Sequence, residues 1–110
     1  MDRAVSDRVP LFVYGTLMKG AKNHHEIEGA RFLRTAKTAP SYAVVHVAGY
    51  PALVPGTNEV SGELFEVDRE RLVRLDAFEG DLYRRGPVNL ASGEAVEAYL
   101  LRDVVRRRAP

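Results

Sequence analysis

Glu79 is the carboxylate in this sequence whose surroundings best suit acid–base chemistry. It follows the apolar residues of a predicted helix and falls in that helix's last turn, at the edge of the buried face. Partial burial and the negative end of the helix dipole both raise the pKa of a carboxyl group. A raised pKa suits a general base that works near neutral pH. A solvated carboxylate that ends a helix is the alternative, and Asp76 and Asp81 have the same ambiguity with fewer apolar neighbours.

A second candidate is the glycine-containing loop after the first predicted strand, formed by Tyr14, Gly15, Thr16 and Leu17. Successive backbone N–H groups in such a turn can point into one concavity and hold an anion. Gly15 lacks the Cβ that would keep a ligand away from that backbone. The loop has no Lys-Ser/Thr end of a P-loop, so nucleotide phosphate is not the expected ligand. An ordinary turn that ends a strand is the alternative.

Tyr83 and Arg85 form a third candidate, on a strand predicted just after Glu79. Because side chains alternate along a strand, both lie on one face. A phenol and a guanidinium there can orient a carboxylate, either a ligand's or that of Glu79. Simple packing at the surface or at the rim of a barrel is the alternative.

The sequence lacks the residue patterns of metal sites and of Cys or Ser nucleophiles. The histidines are His24, His25 and His46, and no carboxylate stands at a clear metal-ligand spacing from them, so no metal site is expected. The chain has no Cys, which excludes a thiol nucleophile and zinc sites that use sulfur. No serine stands in a nucleophile-elbow pattern, so covalent acyl transfer is not indicated.

One helix with clear end signals is predicted to position Glu79. Asp68 is a candidate N-cap, Leu72, Leu75 and Phe78 recur at helical spacing, and Gly80 supplies the stop.

Several short strands surround that helix in the prediction. Asn23 is expected to cap a short helical turn that ends at Gly29, and a tight turn is expected at 91–94. The predicted strands are 10–14, 30–38, 42–47, 60–67, 83–88 and 95–101. Many short strands with one helix predict an α+β domain built as a small mixed, partly closed β-barrel. The absence of a βαβ alternation argues against a doubly wound nucleotide-binding sheet.

Composition describes a single domain over residues 1–110, with a core at about 10–101, a polar N-terminus and an Arg-rich tail. The 110 residues are 45% hydrophobic, and 16 Lys and Arg balance 15 Asp and Glu. This balance argues against a dedicated nucleic-acid binder, although the basic cluster at 102–108 leaves nucleic-acid contact as a minor alternative. No apolar run reaches the length of a membrane span, and the N-terminus does not resemble a secretory signal. A cytoplasmic location is therefore expected, and the oligomeric state is left open.

Several segments, taken together and in order, carry a family resemblance. They are 11–20, 23–24, 29–33, 38–40 with Tyr42, 49–56, 60–65, 75–80 with Tyr83 and Arg85, and 98–99. This ordered set resembles the γ-glutamylcyclotransferase-like superfamily, and within it the avirulence-induced-protein-like branch that includes γ-glutamylamine cyclotransferases. The resemblance extends from about residue 10 to residue 101.

The resemblance implies a compact fold around a small β-barrel, with a pocket at the barrel end. The backbone of residues 14–17 is expected to bind a γ-glutamyl group there, and the family's catalytic glutamate falls on Glu79. Tyr14, Tyr50 and Tyr83 are expected to line the pocket. Arg85 is expected to position Glu79 or an anionic group.

The reaction implied by the resemblance needs neither a metal nor an organic cofactor. The α-amine of a small γ-glutamyl substrate attacks its own γ-carbonyl, which forms 5-oxoproline and releases an amine. Glu79 would act as the general base and then as the acid. The leaving amine stays open among γ-glutamyl amino acids, γ-glutamylamines and γ-glutamyl-lysine remnants. A binding module that holds a small carboxylate ligand without turnover is the alternative.

Overall fold

The computed structural model describes residues 8–102, so the polar N-terminal residues before Arg8 and the Arg-rich tail after Arg102 lie outside it. The strands in this part of the chain are β1 (Arg8–Val13), β2 (Arg31–Lys37), β3 (Tyr42–Val47), β4 (Tyr50–Pro55), β5 (Ser61–Asp68), β6 (Tyr83–Asn89) and β7 (Ala95–Leu101). The α-helix is α1 (Arg69–Glu79), and short 3-10 helices are His24–Ile27 and Gly80–Leu82. Within residues 8–102, no helix is long and apolar enough to cross a membrane.

The seven strands of the described residues form one mixed sheet in the order β2-β5-β1-β7-β4-β3, with β6 paired to β7. β1 pairs antiparallel with β5 and parallel with β7. The end strands β2 and β3 do not pair with each other anywhere in residues 8–102, and within that range the strand partner of β3 is β4. The predicted α+β class with a mixed sheet and one main helix is confirmed. The sheet does not close fully, but residues just beyond the ends of β2 and β6 pair through an antiparallel bridge between Thr38 and Leu90.

One edge of β7 is shared between two strands, and this division locates the candidate site. β6 pairs with the full length of β7 on the other edge. On the shared edge, β1 pairs with β7 at Glu97 and Ala98, and β4 pairs with it at Leu100. β1 and β4 therefore part from each other beside the last residues of β7.

β1 is buried on both faces, which explains its continuous apolar sequence. Leu11 and Phe12 are both fully buried. Leu11 packs with Leu72 and Leu75 of α1, and each of these helix residues contributes roughly 2 kcal/mol of hydrophobic stabilisation. Phe12 packs in a second cluster on the opposite face of the sheet. The loop after β1 thus starts from a rigid strand.

The ends of α1 agree with the sequence prediction. The Asp68 carboxylate accepts a hydrogen bond from the Arg71 N–H at 2.7 Å. Gly80 ends the helix with φ of 71°, a conformation that residues with a Cβ rarely adopt, and its N–H donates to the Asp76 carbonyl. Phe78 departs from the predicted apolar stripe, because it borders a cavity and is 42% exposed.

The predicted strands agree with the structure to within two residues at each end, but the sequence prediction missed β4. Pro51 lacks the N–H that a sheet needs, so the sequence signal for a strand is weak in this segment. β3 and β4 instead form a hairpin across Ala48 and Gly49, whose φ angles of 54° and 83° fit a two-residue type I′ turn. The sequence signal for this hairpin is the Ala48-Gly49 turn between two apolar runs.

Candidate functional site

A cavity of about 550 Å³ lies where β1 and β4 part, under the end of α1. Its walls include residues 14–17 after β1, Tyr50 and Pro51 of β4, and a segment from Phe78 to Tyr83 in which Gly80 is not a wall residue. This volume is within the range of about 300–1,000 Å³ that is usual for small-molecule sites.

Glu79 lies on this cavity, at the last position of α1. Burial raises the pKa of its carboxyl group from the ordinary 4.5 to about 7, and the negative charge of Glu26 adds to the rise. Within the described part of the chain, the Glu79 carboxylate receives no hydrogen bond and forms no ion pair. A half-buried carboxyl group with this pKa and no protein partner is able to exchange a proton with a ligand near neutral pH.

The loop of residues 14–17 is held by the residues that follow it. The Asn23 amide donates to the Thr16 hydroxyl at 3.0 Å, and the Asn23 N–H donates to the Thr16 carbonyl at 2.9 Å. His24 Nδ1 donates to the Leu17 carbonyl at 2.8 Å. Asn23 stands at the predicted N-cap position of the short helix His24–Ile27, but its side chain makes no capping hydrogen bond there.

The loop leaves backbone donors beside the cavity. In the region that the structure covers, the N–H groups of Gly15, Thr16 and Leu17 donate to no protein acceptor. Consecutive N–H groups without acceptors can bind an anionic oxygen. The structure gives a further reason for glycine at position 15, because a Cβ there would lie 2.8 Å from Cγ of Pro51. The missing Cβ makes room for β4.

Tyr14 joins the two strands that part at the cavity. Its hydroxyl donates to the Tyr99 carbonyl of β7 at 2.6 Å and accepts from the Leu53 N–H of β4 at 3.1 Å. Burial raises the pKa of the Tyr14 phenol far above its ordinary value, so the hydroxyl stays protonated. Its donor and acceptor capacity is used by the backbone, while the rest of the residue lines the cavity.

Tyr50 and Tyr83 line the same cavity as Tyr14 and Glu79. The Tyr83 hydroxyl donates to the Pro51 carbonyl at 2.6 Å. Burial first, and then the charge of Glu79, raise the pKa of Tyr83. Tyr50 is 46% exposed and borders the opening. The structure thus brings together the predicted loop, the three predicted tyrosines and Glu79.

Arg85 is not among the residues that line this cavity. Its guanidinium donates two hydrogen bonds to Asp76, at 2.9 and 3.1 Å, and one to Glu97 at 3.0 Å. The Tyr99 hydroxyl also donates to Asp76, at 2.6 Å. Within residues 8–102, no hydrogen bond or ion pair joins Arg85 to Glu79, because the guanidinium binds Asp76, one helical turn earlier, and Glu97. Arg85 therefore ties α1 to β6 and β7.

Sequence reasoning missed several residues of the cavity wall, among them Lys22, Pro51 and Phe78. Pro51 was missed together with β4, and Phe78 was assigned to the core. Lys22 had no local signal, since an exposed charged residue in a loop is usual. Asp81, an ambiguous candidate from the sequence, lies in the wall. In the described residues, no group of three or more His, Asp or Glu lies close enough together to hold a metal ion.

Comparisons with known proteins agree on one family. The family model described as "Gamma-glutamyl cyclotransferase, AIG2-like" matches residues 11–108. Gamma-glutamylaminecyclotransferase A of Danio rerio is 37% identical over 108 residues, which cover 84% of this chain and 67% of that protein. A Niallia circulans protein named gamma-L-glutamyl-butirosin B gamma-glutamyl cyclotransferase is 39% identical over 69 residues, which cover 63% and 44%. The crystal structure of an AIG2-like protein from Mus musculus aligns with a TM-score of 0.73 at 29% identity, covering 94% of this chain and 80% of that one.

Proposed function

The chain belongs to the γ-glutamyl cyclotransferase family, and from that premise we propose that it converts a small γ-glutamyl compound into 5-oxoproline and a free amine, with Glu79 as general acid and base. One observation carries the proposal. Glu79 is half-buried, has a pKa raised to about 7, and shares a cavity with the N–H groups of residues 15–17. A carboxyl group able to transfer a proton and N–H groups able to hold an anionic oxygen thus belong to residues that line one cavity, and this supports the proposal.

The proposed step is intramolecular. The α-amine nitrogen of the substrate attacks its γ-carbonyl carbon, and this new C–N bond closes the five-membered ring. The bond between the same carbon and the leaving nitrogen then breaks. Glu79 takes the proton that the attacking nitrogen loses and gives it to the leaving nitrogen. The nucleophile belongs to the substrate, so the protein supplies proton transfer and orientation.

The loop of residues 14–17 supplies orientation and charge stabilisation in this proposal. Its N–H groups would bind the substrate α-carboxylate or the oxygen that becomes negative during attack. A cavity that holds the γ-glutamyl chain curled keeps amine and carbonyl close, and intramolecular geometry of this kind removes several kcal/mol from a barrier. Tyr14 and Tyr83 support this shape, because their hydroxyls fix β4 from the cavity side.

To test the proposal, a panel of γ-glutamyl compounds is incubated with the protein, and the 5-oxoproline released is measured by chromatography. Glu79→Gln should lower kcat by roughly 10²–10⁴-fold. Glu28→Gln makes the same change at an exposed position outside the cavity wall and should leave kcat unchanged. For the unaltered chain, kcat/KM should rise with pH and level off above about 7, as Glu79 ionises.

Two results would contradict the proposal. Undiminished turnover in Glu79→Gln would remove Glu79 from the proton transfers. Saturable calorimetric binding of γ-glutamyl compounds, with no product after long incubation, would favour a binding module that uses the same cavity.

A further inference from the structure

The cavity has an interior and a mouth that differ in exposure. Four of the described residues in its wall are exposed, and they define the mouth: Lys22, Tyr50, Phe78 and Asp81. The other wall residues are buried or half-buried, including Glu79 and the loop of residues 14–17. The mouth therefore comes from different elements than the proton-transfer group and the backbone donors.

The position of Glu79 fixes which half of a substrate meets the mouth, and this step rests on the proposed function. The γ-carbonyl must lie near Glu79, and the glutamyl α-carboxylate or oxyanion near the N–H groups of residues 15–17. Glu79 and these N–H groups both belong to the interior of the cavity. The amine that leaves then extends outward past Phe78, the residue before Glu79, towards Tyr50 at the start of β4.

We propose that Tyr50 and Phe78 form a leaving-group subsite that selects amines with an aromatic or bulky apolar body. Both side chains are large and apolar, and they are 46% and 42% exposed without a ligand. Water-exposed apolar surface beside a cavity is covered when an apolar ligand group binds, which favours that ligand over a small one. Ring-to-ring contact adds to this preference for an aromatic body.

The charges of the mouth do not select for one sign of charge. Lys22 contributes one positive charge and Asp81 one negative charge. Neither residue forms an ion pair within residues 8–102. Nζ of Lys22 lies 5.7 Å from the centre of the Tyr50 ring, where a cation is attracted to the ring face. The mouth therefore distinguishes leaving groups by the size and apolar character of their bodies.

A matched pair of substrates tests this subsite, γ-glutamyl-phenylalanine and γ-glutamyl-alanine, which carry the same charges. The ratio of their kcat/KM values should favour the aromatic compound by about tenfold. Tyr50→Ala and Phe78→Ala should each reduce this ratio severalfold, and Tyr50→Phe should retain it. Val73→Ala is the matched control, because Val73 is 67% exposed on α1 and outside the cavity wall, and it should leave the ratio unchanged.

Binding to the Glu79→Gln variant gives the same comparison without turnover. Calorimetry should find the aromatic compound bound about tenfold more tightly than γ-glutamyl-alanine. Equal affinities and equal kcat/KM values would overturn the subsite, and so would a ratio that responds to Lys22→Met and Asp81→Asn but not to the aromatic substitutions. Failure of the proposed function looks different, since no compound would then yield 5-oxoproline whatever its affinity.

Discussion

Replacing Glu79 with Gln should stabilise the folded protein at pH 8 while it removes the proposed acid and base. Burial and the charge of Glu26 raise the pKa of Glu79 from 4.5 to about 7 in the folded state. The folded protein thus holds this proton more tightly than the unfolded chain. Between the two pKa values the folded state binds more protons, so the free energy of unfolding falls as pH rises.

The size of the effect follows from the pKa difference. A rise from 4.5 to about 7 corresponds to roughly 3 kcal/mol at ~1.4 kcal/mol per pH unit. Because the Glu79 side chain is only half-buried, screening by water lowers the expected destabilisation to about 1–2 kcal/mol. This destabilisation is absent below pH 4.5, where Glu79 is protonated in both the folded and the unfolded state. It is complete above about pH 7, where Glu79 is ionised in both.

Urea unfolding at pH 4 and pH 8 measures this effect directly. Glu79→Gln should match the unaltered chain at pH 4 and exceed its free energy of unfolding by about 1–2 kcal/mol at pH 8. Glu28→Gln, with the same change at an exposed position, should show no such difference between the two pH values. A Glu79→Gln protein that is no more stable at pH 8, or equally stabilised at both pH values, would refute the reasoning.

Three further substitutions test the framework around the cavity. Tyr14→Phe should cost about 1–3 kcal/mol in urea unfolding and lower kcat/KM, because it leaves the Tyr99 carbonyl and the Leu53 N–H without their partner. Gly15→Ala should lower Tm, at a cost of about 1–3 kcal/mol, since the new Cβ would lie 2.8 Å from Cγ of Pro51; an unchanged Tm would contradict this steric reason. Asp76→Asn should cost about 0.5–1 kcal/mol at pH 7, because the partly exposed carboxylate loses its charge. Hydrogen bonding to Arg85 lowers the pKa of Asp76, so this cost should disappear as pH falls well below 3.8, and an equal cost at pH 2 would oppose the assignment.

Features that depend on nearby residues were predictable from the sequence. The helix α1 was predicted with both ends, because the Asp68 cap and the Gly80 stop act within a few residues of the helix they bound. The position of Glu79 at the edge of the buried face followed from helical spacing alone. The unbroken apolar run of β1 is typical of a strand buried on both faces.

Features that depend on distant pairing were not predictable in this way. The sharing of one β7 edge by β1 and β4 opens the cavity, and it joins segments about 40 to 90 residues apart in the sequence. The hydrogen-bond partner of Arg85 was likewise not predictable from the sequence. Strand alternation gave the face of Arg85, but whether Asp76 or Glu79 meets the guanidinium depends on how far α1 extends over β6, which the structure alone gives.

The separation of interior and mouth has a consequence for how this site works. In the proposed reaction, proton transfer depends on Glu79 and charge stabilisation on backbone N–H groups, and neither of these is supplied by the side chains of the mouth. Tyr50 and Phe78 instead contribute exposed side-chain surface to the cavity. Substituting either residue with Ala removes this surface without adding or removing a charge near Glu79. The pH at which turnover is half-maximal and the preference among leaving amines should therefore vary independently. If both proposals hold, substitutions at the mouth should change which amine is released while the ring-closing reaction is kept.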